Sequence, residues 1–346
     1  MAIVDLEFRI PHRNWVECAE RLFSLLNSVH PGEVVAVVGP SRAGKTKMID
    51  YMRNLLTDDS NGDNAGIMPV VVTEAANSGV NGVFSTKNFM IRLLEELRHP
   101  MFSLGSREGD EQEALIYHRI DKTTEASLRL IAERTMRKRR TKFLFIDEAQ
   151  HVTYVSKSAQ GPFAVLDSWK CFAKAANVIL VIVGAYPILG ILQNSPHMVG
   201  RKHQVHLARY RKNAADIEAF ASVVAAYENH IGSSLLSKNL QFVYEGTFGC
   251  IGLLRAWLLR SWAYANMRDQ QITMEILIEN RLPESDLAVI RTEIIQGETV
   301  LGIDMVDKHP IVRPDQSTKR PLSGKGTPFQ RRPKRMKAGN RGQGDR

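Results

Sequence analysis

The sequence has few cysteines, and their spacing limits what they can do. Cys18, Cys171 and Cys250 lie far apart and form no Cys-x-x-Cys pair. Neither a disulfide framework nor a cysteine zinc site is therefore indicated, and the ten histidines show no metal-ligand spacing either. Because these thiols suit a reducing compartment, we expect a cytoplasmic protein.

Long apolar runs are also missing. The most apolar stretch, residues 178–192, is interrupted by Gly184, Pro187 and Gly190, and it is shorter than the roughly 20 residues that span a bilayer. The first residues show no basic segment followed by an apolar one, as a signal peptide would. We expect no membrane association, while a hydrophobic content of 44% over 346 residues is enough for a sizeable core.

The net charge of +9 comes from one end of the chain. Residues 308–346 carry twelve Lys and Arg against two Asp, whereas residues 1–307 carry 34 basic and 35 acidic side chains. The basic stretch is rich in proline and glycine and has almost no apolar periodicity, so it is predicted to be disordered on its own. It is either a solubilising extension or an arm for DNA or an acidic partner surface.

Apolar strands alternate with amphipathic helices up to about residue 212, and only helices follow. The predicted strands are residues 33–38, 69–73, 143–146, 178–183 and 204–208. The predicted helices are residues 14–29, 45–56, 85–97, 123–137, 163–176, 188–193, 214–231, 240–245, 248–267 and 272–280. This order predicts an α/β fold, a parallel sheet flanked by helices. We divide the chain into an N-terminal helical segment (1–32), an α/β core (33–212), a helical lid (213–306) and a disordered basic tail (307–346).

A phosphate-binding loop is predicted between the first strand and the helix after it. The motif G-x-x-x-x-G-K-[ST] is matched by Gly39, Pro40, Ser41, Arg42, Ala43, Gly44, Lys45 and Thr46. Its glycines let backbone N–H groups turn toward phosphate oxygens, and the following helix directs its positive dipole end at the same anion. Lys45 is predicted to neutralise the β and γ phosphates of ATP, and the Thr46 hydroxyl to bind Mg²⁺.

Two acids follow the third predicted strand, Phe143-Leu144-Phe145-Ile146, at the sheet edge where such folds bind ligands. Asp147 has the position of the Mg²⁺-linked carboxylate, and Glu148 that of the base that orients the attacking water. Each acid alone could be a strand-end cap, but the pair about a hundred residues after a phosphate loop predicts an ATPase.

The next strand lacks a polar residue that we expect of a γ-phosphate sensor. It ends at Val183-Gly184-Ala185-Tyr186, with no Asn, Ser or Thr. Gln150 and His151, just beyond the acids, either supply a polar link between nucleotide and surface or begin a solvated helix. The identity of the sensor stays open.

Arginines from a neighbouring subunit commonly complete such sites, because a planar cation stabilises the charge of the transferring phosphoryl group. Arg201, before the last strand, is our candidate, with Arg209, Arg211 and plain surface solvation as alternatives. Arg255, in the lid, is predicted to reach the nucleotide from the other side or to form a salt bridge on its helix face. An arginine that acts on the ATP of a neighbouring subunit requires a head-to-tail interface, and head-to-tail contacts form rings or filaments.

Candidate DNA contacts lie between the second and third strands. Lys87, Arg119, Lys122 and Thr123 are predicted to line a DNA channel. The basic run at 137–142 either touches nucleic acid or is a charged turn before a buried strand.

The chain resembles the TnsC/TniB family of AAA+ transposition regulators over roughly residues 10–280. The resemblance rests on GPSRAGKT at 39–46, DEAQH at 147–151, VGAYP at 183–187, Arg201 before a strand, and GTFGCIGLLRAWLL at 246–259. It implies an AAA+ ATPase that assembles as a homo-oligomeric ring or filament on double-stranded target DNA. It further implies a target-selector partner of the TniQ/TnsD type and recruitment of a transposase.

Two other functions fit the same motifs. One is an ExeA-like secretion or assembly ATPase, which is disfavoured because no membrane span or cell-wall-binding segment follows the lid. The other is a nucleotide-switch scaffold that hydrolyses little ATP.

Overall fold

The computed structural model describes residues 10–58, 66–77, 82–102, 122–155, 161–194, 200, 202–231 and 234–303. The strands are β1 (Val34–Val38), β2 (Val70–Glu74), β3 (Phe143–Asp147), β4 (Ile179–Gly184) and β5 (Lys202–His206). The helices that accompany the sheet are α1 (Arg13–Ser28), α2 (Lys45–Asp58), α3 (Thr86–Glu96), α4 (Glu125–Lys138), α5 (Gly161–Ala176) and α6 (Ile188–Asn194). The later helices are α7 (Ala214–Ile231), α8 (Leu235–Lys238), α9 (Leu240–Glu245), α10 (Ile251–Met267), α11 (Met274–Glu279) and α12 (Glu284–Val300).

The five strands form one parallel sheet in the order β2-β3-β4-β1-β5. The predicted α/β fold with helices around a parallel sheet is therefore confirmed. Val38 pairs with Gly184 and Glu74 pairs with Asp147, so β1 ends level with β4, and β2 with β3. This common edge brings together the segments that follow β1, β3 and β4.

Both faces of the sheet are covered. Alternate residues of β1 point to opposite sides, where Val34, Ala36 and Val38 meet α3 to α6, and Val35 and Val37 meet α1 and α2. All residues of β1, β3 and β4 are buried. Burial on both faces explains why these strands are continuous apolar runs rather than alternating ones.

The helices after β5 build a third apolar cluster from α7 to α11, around Phe220, Tyr244 and Trp257. The last helix that the structure describes, α12, does not join it. Leu287 and Ile294 of α12 pack into the cluster on the α3–α6 side of the sheet, and α12 contacts α6. The sequence did not predict α12, because its apolar residues do not form a clear stripe and Gly297 interrupts its interior.

Among the described residues, no helix is both long and apolar enough to cross a membrane. The predicted tail, residues 307–346, lies outside the part of the chain that the structure describes.

Candidate nucleotide site

The loop between β1 and α2 has the backbone of a tight anion-binding turn. Gly44 has φ 96° and Arg42 has φ 63°, so the chain enters the left-handed region twice within three residues. The Ala43 N–H donates to the Pro40 carbonyl at 3.2 Å. At Gly39 an added Cβ would lie 2.5 Å from the carbonyl oxygen of Leu207, the residue after β5, so a glycine is needed for the loop to pass this segment.

Lys45 begins α2 with its side chain folded back under the loop. Its Nζ donates to the Pro40 carbonyl at 2.7 Å and to the Gly39 carbonyl at 3.2 Å, and its exposure is only 7%. Burial lowers the pKa of the ammonium, and the nearby carboxylates, of which Glu148 has the largest effect, oppose that shift. Because no carboxylate of the described residues pairs directly with it, this buried cation is well placed to meet an anion.

Thr46 and Asp147, 101 residues apart, meet across the sheet edge. The Thr46 hydroxyl donates to Asp147 Oδ2 at 2.8 Å, and the Glu148 N–H donates to Asp147 Oδ1 at 2.8 Å. Burial raises the pKa of Asp147, while these two hydrogen bonds counter it by stabilising the carboxylate. The arrangement aligns one hydroxyl and one carboxylate oxygen beside the loop.

Glu148 lies between the end of β3 and a short 3₁₀ helix, Ala149–Tyr154. Its backbone is left-handed, with φ 51°, a conformation that costs free energy for a non-glycine residue and often marks a functional position. The side chain is half-buried and accepts a hydrogen bond from Gln150 Nε2. At its other end, Gln150 Oε1 accepts from the Ala185 N–H at 2.9 Å.

Two elements outside the α/β core reach the phosphate loop. Glu293 of α12 accepts hydrogen bonds from the Ser41 hydroxyl at 3.1 Å and from the Ser41 N–H at 3.3 Å. At Gly252, near the start of α10, an added Cβ would lie 1.9 Å from the Arg42 carbonyl oxygen. The loop is therefore enclosed by both later helices.

A buried ion pair fixes α12 beside the exit of β5. Arg209 is 5% exposed and Glu298 is 2% exposed, and the guanidinium donates to both carboxylate oxygens, at 2.8 and 2.9 Å. Nearby, the Tyr186 hydroxyl and His206 Nε2 are 2.9 Å apart, and the Tyr186 ring lies against Gly297. Burial lowers the pKa of His206 to about 4. Because this ion pair holds the Arg209 guanidinium, Arg209 is not a candidate for the arginine that acts in the nucleotide site of a neighbouring subunit.

The structure brings the predicted loop, Lys45, Thr46, Asp147 and Glu148 together at one sheet edge. Arg255 lies half-buried on α10, near enough to Tyr227 for its charge to counter the rise that burial causes in that tyrosine's pKa. The predicted arginine, Arg201, lies outside the described residues, directly before β5.

The predicted DNA residues that the structure describes lie at two helix beginnings. Lys87 is in the first turn of α3, and Lys122 and Thr123 precede α4. The Thr86 hydroxyl donates to Glu125 Oε2 at 2.7 Å, which joins the two helix starts. The fourth residue, Arg119, lies outside the described residues.

Sequence reasoning missed the contribution of α12. Glu293 and Glu298 carried no motif, and each is identified only by a partner more than 80 residues away. Gln150 was considered because it follows the acid pair, but its contact with Ala185 has no sequence signal.

The comparisons with solved structures show the fold. The chain is similar to a Walker-type ATPase of Pyrococcus abyssi, with a TM-score of 0.51, 12% identity, and 82% of this chain and 73% of that one covered. It is also similar to the ORC2 protein of Aeropyrum pernix, with a TM-score of 0.53, 10% identity, and coverage of 82% and 73%. For the Cdc6 protein of Pyrobaculum aerophilum the TM-score is 0.51, the identity 16%, and the coverage 84% and 76%. A search of curated proteins found no match.

The family comparison is more specific. A family model described as "Bacterial TniB protein" matches residues 1–212, which is more than half of the chain and includes β1 to β5 with the phosphate loop and both acids. Because it covers more than half of the chain, this match shows that the chain belongs to the TniB family.

Proposed function

We propose that the chain binds ATP with Mg²⁺ and hydrolyses it. The observation that carries the proposal is the Thr46–Asp147 hydrogen bond, which places two oxygen ligands side by side next to the phosphate loop. Hydroxyl and carboxylate oxygens are the ligands that Mg²⁺ prefers, so the residues present fit this ion. When bound with ATP, Mg²⁺ would neutralise charge on the phosphate oxygens.

Lys45 supports the same reading. Among the described residues, the buried ammonium bonds only to carbonyls of the loop; such a cation is costly without a counter-charge, and the β and γ phosphates of ATP supply one. The positive φ angles of Arg42 and Gly44 shape the turn, and α2 begins at its end with its positive dipole toward the ligand.

Glu148 is the residue we assign to water activation. It directly follows Asp147, and the Glu148 N–H to Asp147 hydrogen bond holds the two acids in a fixed relation. Its carboxylate orients the attacking water and accepts its proton. Arg255, on the helix that meets the loop through Gly252, is proposed to approach the nucleotide from the lid.

We further propose that the site is completed between protomers. Arg201, just before β5, would act on the ATP of a neighbouring subunit and stabilise the charge of the transferring phosphoryl group. The bonding of Arg209 to Glu298 removes the nearest competitor for this role. Head-to-tail assembly follows from such an arginine and gives a ring or a filament.

Double-stranded DNA is the proposed ligand of the assembly. Lys87, Lys122 and Thr123 share the neighbourhood of the joined starts of α3 and α4, where helix dipoles add positive potential. Arg119 belongs to the same proposed contact region. Contacts of this type grip phosphates without reading bases.

The biological role that we propose is that of a transposition regulator. Assembled on target DNA with ATP, the protein would receive a target selector of the TniQ/TnsD type and recruit and activate the transposase. Membership of the TniB family supports this role.

A gel shift on double-stranded DNA with ATP, with ADP and without nucleotide tests the proposal, together with ATP turnover with and without DNA. We expect tight binding only with ATP, and turnover that DNA stimulates. Binding that is equal in all three conditions would contradict a nucleotide-controlled DNA assembly. ATP binding with no turnover would instead support a nucleotide-switch scaffold.

A further inference from the structure

We propose that Gln150 is a positioning residue that aims the carboxylate of Glu148 and ties it to the end of β4. The inference rests on the proposed ATP hydrolysis, and it concerns a side chain that belongs to neither the phosphate loop nor the acid pair.

The side chain of Gln150 forms a bridge between two segments. Its Nε2 donates to Glu148 Oε2, and its Oε1 accepts from the Ala185 N–H at 2.9 Å. Only the amide oxygen can accept the backbone N–H, so this contact also settles which end of the amide faces Glu148. The bridge therefore holds one carboxylate oxygen of Glu148 at a fixed place relative to the sheet.

The space for this bridge exists because the last residue of β4 is a glycine. At Gly184 an added Cβ would lie 2.8 Å from Gln150 Oε1 and 3.3 Å from the Gln150 backbone nitrogen. The following residue, Ala185, donates its N–H to this oxygen. Where we expected a polar side chain on this strand, the polar group comes instead from Gln150.

The backbone that carries Gln150 is itself well fixed. Ala149 and Val152 of the 3₁₀ helix are buried, and the Thr153 hydroxyl donates to the Gln150 carbonyl at 2.7 Å. The His151 ring nitrogen Nδ1 lies 2.9 Å from the Ala75 carbonyl oxygen at the end of β2. This support fixes the place from which the Gln150 side chain extends, which favours a positioning role.

The bridge leaves the other carboxylate oxygen for catalysis. Among the described residues, no donor contacts Glu148 Oε1. With Oε2 held by Gln150, Oε1 remains to accept the proton of a water. Positioning of this kind acts on the turnover rate and leaves nucleotide binding unchanged, because the hydrogen bonds of the Gln150 side chain go to Glu148 and Ala185 and not to the phosphate loop.

Gln150→Met tests the proposal, because methionine keeps the length of the side chain and removes both hydrogen bonds. In the full-length protein we expect kcat for ATP hydrolysis to fall at least tenfold, with the affinity for a fluorescent ATP analogue unchanged within about twofold. In the nucleotide-free protein, the Ala185 amide should exchange its hydrogen at least several-fold faster, since its acceptor is gone. Gly184→Ala should give the same three results by displacing Gln150 without changing it.

Gln241→Met is the matched control. Gln241 Nε2 donates to Glu245 Oε1 at 2.9 Å on an exposed face of α9. This variant therefore removes a glutamine–glutamate hydrogen bond of the same type at a distance from the site. We expect parental turnover and parental exchange at Ala185 in this variant.

An unchanged kcat in Gln150→Met, or a loss that weaker ATP binding fully explains, would overturn the positioning role. Unchanged Ala185 exchange would overturn the bridge itself. A parental protein that binds but never hydrolyses ATP would overturn the proposed activity, and the catalytic part of this inference with it. That result is distinguishable, because the exchange measurement needs no nucleotide.

Discussion

The buried ion pair between Arg209 and Glu298 predicts a large loss of stability for Glu298→Ala. Both side chains are almost fully buried, and the carboxylate accepts two of the guanidinium's hydrogen bonds. In the variant, Arg209 keeps its hydrogen bonds to the Tyr244 hydroxyl and the Phe248 carbonyl, which carry no compensating charge. Removing one partner of such a pair costs about 3–5 kcal/mol, roughly a hundred- to several-thousandfold in the unfolding equilibrium.

Urea denaturation followed by tryptophan fluorescence measures this cost. Glu17→Ala is the control, because Glu17 is 68% exposed and pairs with Arg13 on the surface of α1. Removing this exposed partner should cost less than about 1 kcal/mol. The double variant Arg209→Met with Glu298→Leu should recover most of the stability, because no unpaired charge then remains buried.

The reasoning would be refuted if Glu298→Ala cost no more than Glu17→Ala. It would also be refuted if the double variant were as unstable as the single one, since the loss would then come from packing rather than from a stranded charge.

Three further predictions concern the nucleotide and DNA. Lys45→Ala should lose ATP binding, whereas Glu148→Gln should keep ATP binding, lose turnover and accumulate on DNA. Equilibrium nucleotide binding and phosphate release distinguish these outcomes, and parental turnover in Glu148→Gln would exclude Glu148 as the base. Arg201→Ala should lose ATPase activity and assembly together, and mixing it with Lys45→Ala should restore some activity through composite sites; no recovery in any mixture of folded proteins would place the arginine elsewhere. Deleting residues 308–346 should flatten the salt dependence of DNA binding by roughly 0.9 in log–log slope for each DNA phosphate that the tail neutralises, whereas an unchanged slope would indicate that the tail docks a partner protein.

The sheet, and the edge where the phosphate loop meets the acid pair, could be predicted from the sequence because their signals are local. Each central strand is a short apolar run, and the helices beside it repeat apolar residues at helical spacing. Ser85, at the start of the predicted helix 85–97, caps α3, and its hydroxyl accepts from the Asn88 N–H. The phosphate loop and the acid pair are defined by residue type and by their place at strand ends, so they needed no knowledge of distant contacts.

The features that the sequence did not predict depend mostly on contacts between residues far apart in the chain. Nothing in the sequence distinguishes Glu293 and Glu298 from surface glutamates. Their roles follow from their contacts with Ser41 and Arg209, respectively. The bridge at Gln150 depends on the empty space at Gly184, which no local pattern reveals. Strand β5 was predicted two residues late, at 204–208, because its first residues, Lys202 and His203, are polar edge positions.

The contacts that α10 and α12 make with the phosphate loop set a limit on how this protein can be recombined with its relatives. The family match ends at residue 212, but the loop inside it touches Gly252 and Glu293 beyond that point. A chimera that joins residues 1–212 to another protein's C-terminal half would face a clash at the Arg42 carbonyl wherever the incoming helix lacks a glycine. Such an exchange must keep the loop together with the residues of α10 and α12 that contact it. The two halves are therefore separate in sequence comparison but have to be engineered together.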